Sequence, residues 1–318
     1  QEKKNGKPSH MNKFIFLFIF LFISCKTFYT GSFDQPNLNL EQPEELSTIV
    51  SKWEDGKRTT GKSNEFEWWY FDTKLDNGAI LVCYFYKVHF LQDKYFIGLN
   101  YNDDDGKDIF LLKYFNNNEV QFSTDSCDVI MGNNYIRGNL DEYEIKLDPK
   151  DFEGFGVELF LKSSLKPYRP KDGIIKAGDD FFAWLAAVPN GSTKGKIIID
   201  GTKKNVNGDG YHDHNWGNTP LQKLFDSWSW FRGKVGDYTI IASELNLSDK
   251  RGGYNVPILY IGGQDTILTN RFGDNGIYTQ YTNLINNLYP KKNEPLFSSI
   301  KLLTEDGILV SIEGKKLI

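Results

Sequence analysis

The chain has 318 residues, 40% of them hydrophobic and 25% charged, with a formal charge of −5. That balance suits a folded globular protein and excludes a disordered or collagen-like chain. It also lacks the concentrated basic face that phosphate backbones require, so nucleic acid is not an expected partner. Aromatic residues are abundant, with 24 Phe, 17 Tyr and 7 Trp against 2 Met, a composition that favours pleated strands over helix bundles.

Residues 1–10 precede Met11, carry Lys3, Lys4 and Lys7, and read as upstream sequence without a function of their own. The apolar run Phe14 to Ser24 follows Lys13 and ends at Cys25. It is shorter than the roughly 20 residues that span a bilayer and matches the core of an export signal. The ending Ile23-Ser24-Cys25 resembles a bacterial lipobox, which makes Cys25 the expected lipidation site and membrane anchor of an exported protein. A plain secretory signal with an incidental cysteine, or a cytosolic apolar N-terminus, are the alternatives. Residues 26–60 are polar, contain Pro36, Pro43 and Glu44-Glu45, and read as a tether.

From Glu65 the sequence becomes a succession of short β-like runs: Glu65 to Thr73, Ala79 to Phe90, Lys94 to Tyr101, Asp108 to Phe115, Glu142 to Asp148, Gly156 to Ser163, Asp180 to Val188 and Lys196 to Asp200. Turn chemistry such as Asp76-Asn77-Gly78 separates them and predicts antiparallel pairing. The pattern restarts with Ser227 to Lys234, Tyr238 to Leu247, Tyr254 to Gly262, Thr266 to Asn270 and Ile308 to Gly314. One short helix is expected near Gln280 to Leu288. Meander-like order without βαβ alternation predicts an all-β fold of barrels or sandwiches. The expected division is 61–205 and 206–318, with the boundary near Asp200 to Gly210 and the second domain ending early enough to read as incomplete. Cys83 and Cys127 could pair after export or stay as buried thiols, and no CxxC zinc spacing exists.

Two of the 4 histidines fall in Gly208-Asp209-Gly210-Tyr211-His212-Asp213-His214-Asn215-Trp216-Gly217. So many ionisable and amide groups are costly to fold unless hydrogen-bonded, which fits either a buried structural network or a site. If the segment is extended, His212 and His214 share one face, with Asp213 and Asn215 on the other. His-x-His could offer two imidazoles to zinc, but only His89 or a stray carboxylate is available as a third ligand, and no metal is expected. In Glu65-Phe66-Glu67-Trp68-Trp69-Tyr70-Phe71, strand geometry sets Glu67 beside Trp69. Trp228 and Trp230 share a face with Arg232, and Ile240, Ala242 and Glu244 share one on the next run.

Glu67-Trp68-Trp69-Tyr70, Phe182-Ala183-Trp184 with Pro189-Asn190-Gly191 and Gly195, the segment Gly210 to Gly217, and Trp228-Ser229-Trp230-Phe231-Arg232-Gly233 together resemble the carotenoid 1,2-hydratase family. That family, also called hydroxyneurosporene synthase, belongs to the AttH-type lipocalin-like group, which includes fungal hydratases and Diels-Alderases. The resemblance runs from about Gly61 to Leu247. It implies two lipocalin-like antiparallel β-barrel domains, an apolar isoprenoid or lipid ligand between or within them, and cofactor-free acid/base hydration of a carbon–carbon double bond. It further implicates the second histidine and the tryptophan of the motif, matching His214 and Trp216. A Tyr-x-Asp pair on the strand after the Trp-x-Trp hairpin is implicated too; here the nearest register is Ala242-Ser243-Glu244, with no tyrosine and with Glu in place of Asp.

Hydrating an unactivated alkene requires a proton donor first, because the barrier is formation of the carbocation. Glu244 or Asp213, held neutral in an apolar pocket, is the expected donor. His214 is expected to place the water, and Trp216 to stabilise the cation by about 2 kcal/mol. His214, Trp216 and Glu244 should line one pocket with Glu67 and Trp69 at its wall and Tyr211, Trp228 and Trp230 contributing binding surface, while His212 and Asp213 hold the motif in place. A non-catalytic binder of an apolar molecule and a pericyclase-like template are the competing functions.

Overall fold

The computed structural model describes residues 44–313 apart from 48, 90, 104, 171–172, 265, 273–276, 287–294, 305–306 and 308. Strand accounts for 65% and helix for 6%, so the all-β expectation holds. All strand pairings are antiparallel among the described residues. Cys25 and its apolar run lie outside the described residues.

A twelve-stranded sheet forms a nearly closed barrel. At its centre lie Phe66–Leu75, Ile80–His89, Asp180–Ile199 and Thr202–Gly217, the last carrying the histidine motif and here termed the motif strand. The motif strand is paired on both sides, with Phe66–Leu75 and with Asp180–Ile199. Its glycines permit that crowding. A Cβ on Gly208 would collide with the Lys74 carbonyl oxygen, and one on Gly210 with Thr193 Oγ1. Alternate residues from around the barrel, among them Trp69, Phe71, Phe85, Ile97, Ile145 and Leu159, fill its interior.

A six-stranded sheet packs against the outside of this barrel. It includes Phe225–Val235, Tyr238–Leu247, Asn255–Gly262 and Ile267–Phe272, and Phe225–Val235 forms one edge. Between the sheets lies a second core containing Tyr86, Phe96, Tyr168, Trp184, Ile241, Leu245 and Ile258. Two ion pairs join the Phe225–Val235 strand to the barrel, Arg232 with Asp72 and Lys234 with Asp209.

Several expectations change. The chain passes from one sheet to the other after Gly217, whereas Asp200 to Gly210 is a hairpin inside the barrel sheet, since Ile199↔Thr202 is its closing pair. Pro189-Asn190-Gly191 does not end a strand. Asp180–Ile199 runs through it with register shifts between Leu185 and Val188 and between Val188 and Gly191. Such bulges absorb a proline that cannot donate to the ladder. The expected helix from Gln280 is the strand Ile277–Asn286, paired with Pro295–Thr304 in a separate three-stranded sheet, as its Tyr, Thr and Ile content favours. Among the described residues the six-stranded sheet does not close on itself. Cys83 and Cys127 are buried free thiols, not a disulfide.

Candidate active site

The motif strand is fully extended, so its side chains alternate between the barrel interior and the space between the sheets. Its register against Phe66–Leu75 sets His214 opposite Trp69, Trp216 opposite Glu67, Asp213 opposite Tyr70 and Tyr211 opposite Asp72. The motif therefore divides into two polar groups that face opposite ways.

The interior group is charged and sealed. His214 Nε2 lies 2.9 Å from Glu67 Oε1 and its Nδ1 lies 3.1 Å from the Glu54 carbonyl. His212 Nε2 lies 3.1 Å from Asp55 Oδ2 and its Nδ1 lies 2.7 Å from the Tyr70 carbonyl. Each ring thus faces oxygen atoms on both nitrogens, one of them a carboxylate's. Burial lowers the affinity of His212 for its proton, but the Asp55 charge outweighs burial and the pKa is raised. Burial likewise pulls Glu67 up, yet hydrogen bonding and charge from His214, with help from Thr59 and the Arg58 amide, hold it below the usual carboxylate range. His214 stacks on Trp69 at 4.6 Å and leans on Trp216 at 4.7 Å. Tyr143 donates to Asp55 at 2.5 Å, and Trp69 donates to the Asp55 carbonyl at 2.8 Å. These bonds fasten the short helix Lys52–Asp55 inside the barrel.

Asp55, Cys127 and His212 bring possible ligand atoms within 4.8 Å of one another. The Asp55 oxygen nearest His212 already accepts from that ring and from Tyr143, so the group reads as an ion pair. His89, weighed above as a third ligand, instead bonds Asp93 at 2.7 Å.

The outward group lines a cavity of about 270 Å³ between the sheets, walled by Trp68, Tyr70, Phe182, Trp184, Asp213 and Asn215 on the barrel side. Trp228, Trp230, Ser243, Leu245 and Ile258 close it from the six-stranded sheet. Asp213 is the carboxyl group in this apolar wall. Its Oδ2 accepts from Tyr211 at 2.8 Å and Trp184 Nε1 at 3.1 Å, and its Oδ1 accepts from Asn215 at 2.6 Å. Burial pushes its pKa up to about 6, against the pull of the Tyr211 bond, the His212 charge and the Trp184 and Asn215 bonds. Behind it, Asp72, two residues beyond Tyr70 on the same strand face, pairs with Arg232, and Arg232 lies 5.4 Å from the Tyr211 ring centre.

The structure thus separates residues that the sequence grouped. His214, Trp216, Glu67 and Trp69 come together, but on the barrel interior. Glu244 is buried, yet it shares its face with Ser229 and Pro257, while its neighbour Ser243, paired with Trp230 and Ile258, faces the cavity. Glu244 points instead toward the core of Ile240, Ala242 and Leu259 on the far side of that sheet. The expectation of one pocket holding His214, Trp216 and Glu244 is therefore corrected, because strand alternation turns each away from the cavity. Trp228 and Trp230 line it as expected, Tyr211 supports Asp213 from behind, and Asp213 holds no loop but faces the cavity itself. Strand alternation through Glu67-Trp68-Trp69-Tyr70 sets Trp68 beside Tyr70 on the face opposite Glu67 and Trp69, and that is the face that meets the cavity; Trp184, part of the Phe182-Ala183-Trp184 motif, joins them there.

Trp228 and Trp230 are 38% and 39% exposed and form the rim. Trp230→Ala is expected to leave the thermal midpoint nearly unchanged while weakening an apolar ligand by about 1.5–3 kcal/mol. Titration with an anilinonaphthalene sulfonate dye measures this.

Comparison with known proteins agrees with this architecture. An AttH protein from Nitrosomonas europaea superposes with a TM-score of 0.59 at 16% identity, covering 77% of this chain and 83% of that one. The chain has the AttH-type lipocalin-like fold. Kievitone hydratase from Nectria haematococca matches with a TM-score of 0.54 at 14% identity over 81% of this chain and 77% of its own. CghA matches with a TM-score of 0.59 at 13% identity over 84% of each chain. In sequence, a hydroxyneurosporene dehydrogenase from Chlorobaculum tepidum is 26% identical over 203 residues, 52% of this chain and 53% of that protein. The quinolone epoxide rearrangement protein penF of Penicillium thymicola is 28% identical over 104 residues, 31% of this chain and 28% of its own. The chain spans about half the length of the first of these relatives and less of the second. No family model matches. The resemblance drawn from the motifs is borne out.

Proposed function

We propose that the protein is a hydratase-like enzyme that protonates an electron-rich double bond of an apolar molecule, of isoprenoid type, held between the two sheets. Asp213 is the proton donor. One observation carries this reading: a buried carboxyl group held only by neutral donors faces an aromatic cavity, with its pKa at about 6. A carboxylic acid in such a place is partly protonated near neutrality and can give its proton to carbon. The faces of Trp68, Trp184, Trp228 and Trp230 surround the position where the cation forms, a contribution of about 2 kcal/mol from a desolvated ring. His214 and Trp216 act at one remove, by fixing the strand that carries Asp213. The name of kievitone hydratase agrees with hydration, and that of the quinolone epoxide rearrangement protein penF leaves room for rearrangement in a similar cavity.

A binder of an apolar molecule uses the same aromatic wall without needing the acid. Incubation with citronellol in oxygen-labelled water separates the two. A diol carrying solvent oxygen supports the hydratase, and an unchanged alkene that still quenches tryptophan fluorescence supports the binder.

We also propose export and acylation at Cys25, motivated by the short apolar run before Ile23-Ser24-Cys25. Cys25→Ser should move the protein from the membrane to the soluble fraction, and unchanged partitioning sinks the idea.

A further inference from the structure

Hydration needs a second group besides the acid, since the attacking water must be placed and must lose a proton. Tyr70 is the cross-strand partner of Asp213, and both side chains line the cavity. Directly opposed residues on one face of an antiparallel pair stand about 4.5–5.5 Å apart. The Tyr70 ring is held edge-on between Tyr211, with ring centres 6.1 Å apart, and Trp230, at 6.3 Å. Asp72 lies two residues along the same strand face, close enough for its charge to act on the Tyr70 hydroxyl, and is paired with Arg232 of the opposite sheet. A phenolic hydroxyl both donates and accepts, so with its proton turned toward Asp72 its oxygen can accept a hydrogen bond from water in the cavity. Burial raises the pKa of both Asp72 and Asp213, but Asp72 has the Arg232 guanidinium beside it drawing it back down, whereas the hydrogen-bond donors on Asp213 are all neutral. That contrast is how a site separates a base from an acid.

We propose that Tyr70 is a second catalytic residue, which holds the attacking water and passes the proton it sheds to Asp72. This rests on the hydratase reading of the cavity. In the first step the Asp213 proton forms a C–H bond as the π bond breaks, leaving a carbocation and the Asp213 carboxylate. In the second, the water oxygen bonds to the cation. One of its protons moves to the Tyr70 oxygen while the Tyr70 proton moves to Asp72, so the alcohol is neutral and Asp72 ends as the acid. Exchange with solvent then returns the proton balance to Asp213. Arg232 serves as a positioning residue that keeps Asp72 ionised until the water attacks.

Separating proton delivery from water capture tests this. In deuterium oxide, protonation that is not followed by water capture reverts and leaves deuterium in the recovered alkene. With citronellol as the probe and the full chain, Tyr70→Phe should reduce diol formation about tenfold or more, while deuterium continues to enter the alkene at a rate comparable to the wild type. The phenylalanine ring keeps the contacts to Tyr211 and Trp230, and a circular dichroism melt checks that the variant folds. Diol formation at the wild-type rate overturns the proposal, and so does loss of deuterium entry together with the diol, which would place Tyr70 in the proton-delivery step. Asp213→Asn should lose both signals. A wild-type protein that yields neither diol nor label removes the hydratase reading itself, so the two failures are distinguishable.

Discussion

Asp213→Asn is expected to lower the hydration rate about a hundred- to ten-thousandfold, the range for removing a placed general acid. Apolar ligand affinity should be retained, because the aromatic wall is untouched. The wild-type rate should fall as pH rises through about 6, where Asp213 loses its proton. The same group makes a stability prediction of known sign. Its folded pKa lies above the ordinary 3.8, so between that value and about 6 the folded protein binds more protons than the unfolded chain. Stability therefore declines with rising pH across that window, by up to about 3 kcal/mol. The asparagine variant lacks this loss. Its denaturation midpoint relative to wild type should accordingly improve from pH 4 to pH 7, roughly the window just given. An equally active variant, or a wild-type rate flat across pH 6, would sink the assignment of Asp213 as donor.

Glu67→Ala should act on stability and leave the acid in place. The substitution strips His214 Nε2 of its 2.9 Å partner inside a sealed barrel, and breaking a buried pair in this way costs about 3–5 kcal/mol. Urea denaturation measures it. Because the Glu67 pKa is lowered on folding, its stabilisation is present above the ordinary value of 4.5 and is lost as pH falls through the folded value. For His212 the pKa is raised, so its stabilisation is present below the ordinary 6.5 and is lost as pH rises through the higher folded value. The wild type should thus carry both contributions between the two windows, and Glu67→Ala should remove only the acid-side one. The folded fraction of the variant should keep the rate dependence set by Asp213. A stable Glu67→Ala protein with an altered rate profile would instead place Glu67 and His214 in the chemistry.

The all-β class, the antiparallel hairpins, the AttH-type resemblance and the two-faced character of Tyr211 to Trp216 were legible in the residues alone. These follow from local chemistry: side chains alternate along any strand, and glycine with asparagine sets tight turns whatever lies beyond. The sequence also brought Asp213 and the Trp228/Trp230 pair forward as candidates. Which face meets a cavity depends on long-range packing, because alternation assigns His214 and Asp213 to opposite sides without saying which side a second sheet will cover. Glu244 turned away for the same reason: its place beside Ala242 and Ile240 was legible, but not the identity of the core beyond them. Asp55 reaches His212 across 157 positions of chain, and Asp72 reaches Arg232 across 160, so no local pattern could reveal either pair. Contacts of that range exist only once the barrel has closed and the second sheet has docked on it, which is why Asp213 could be named from the sequence beside Glu244 and its surroundings could not.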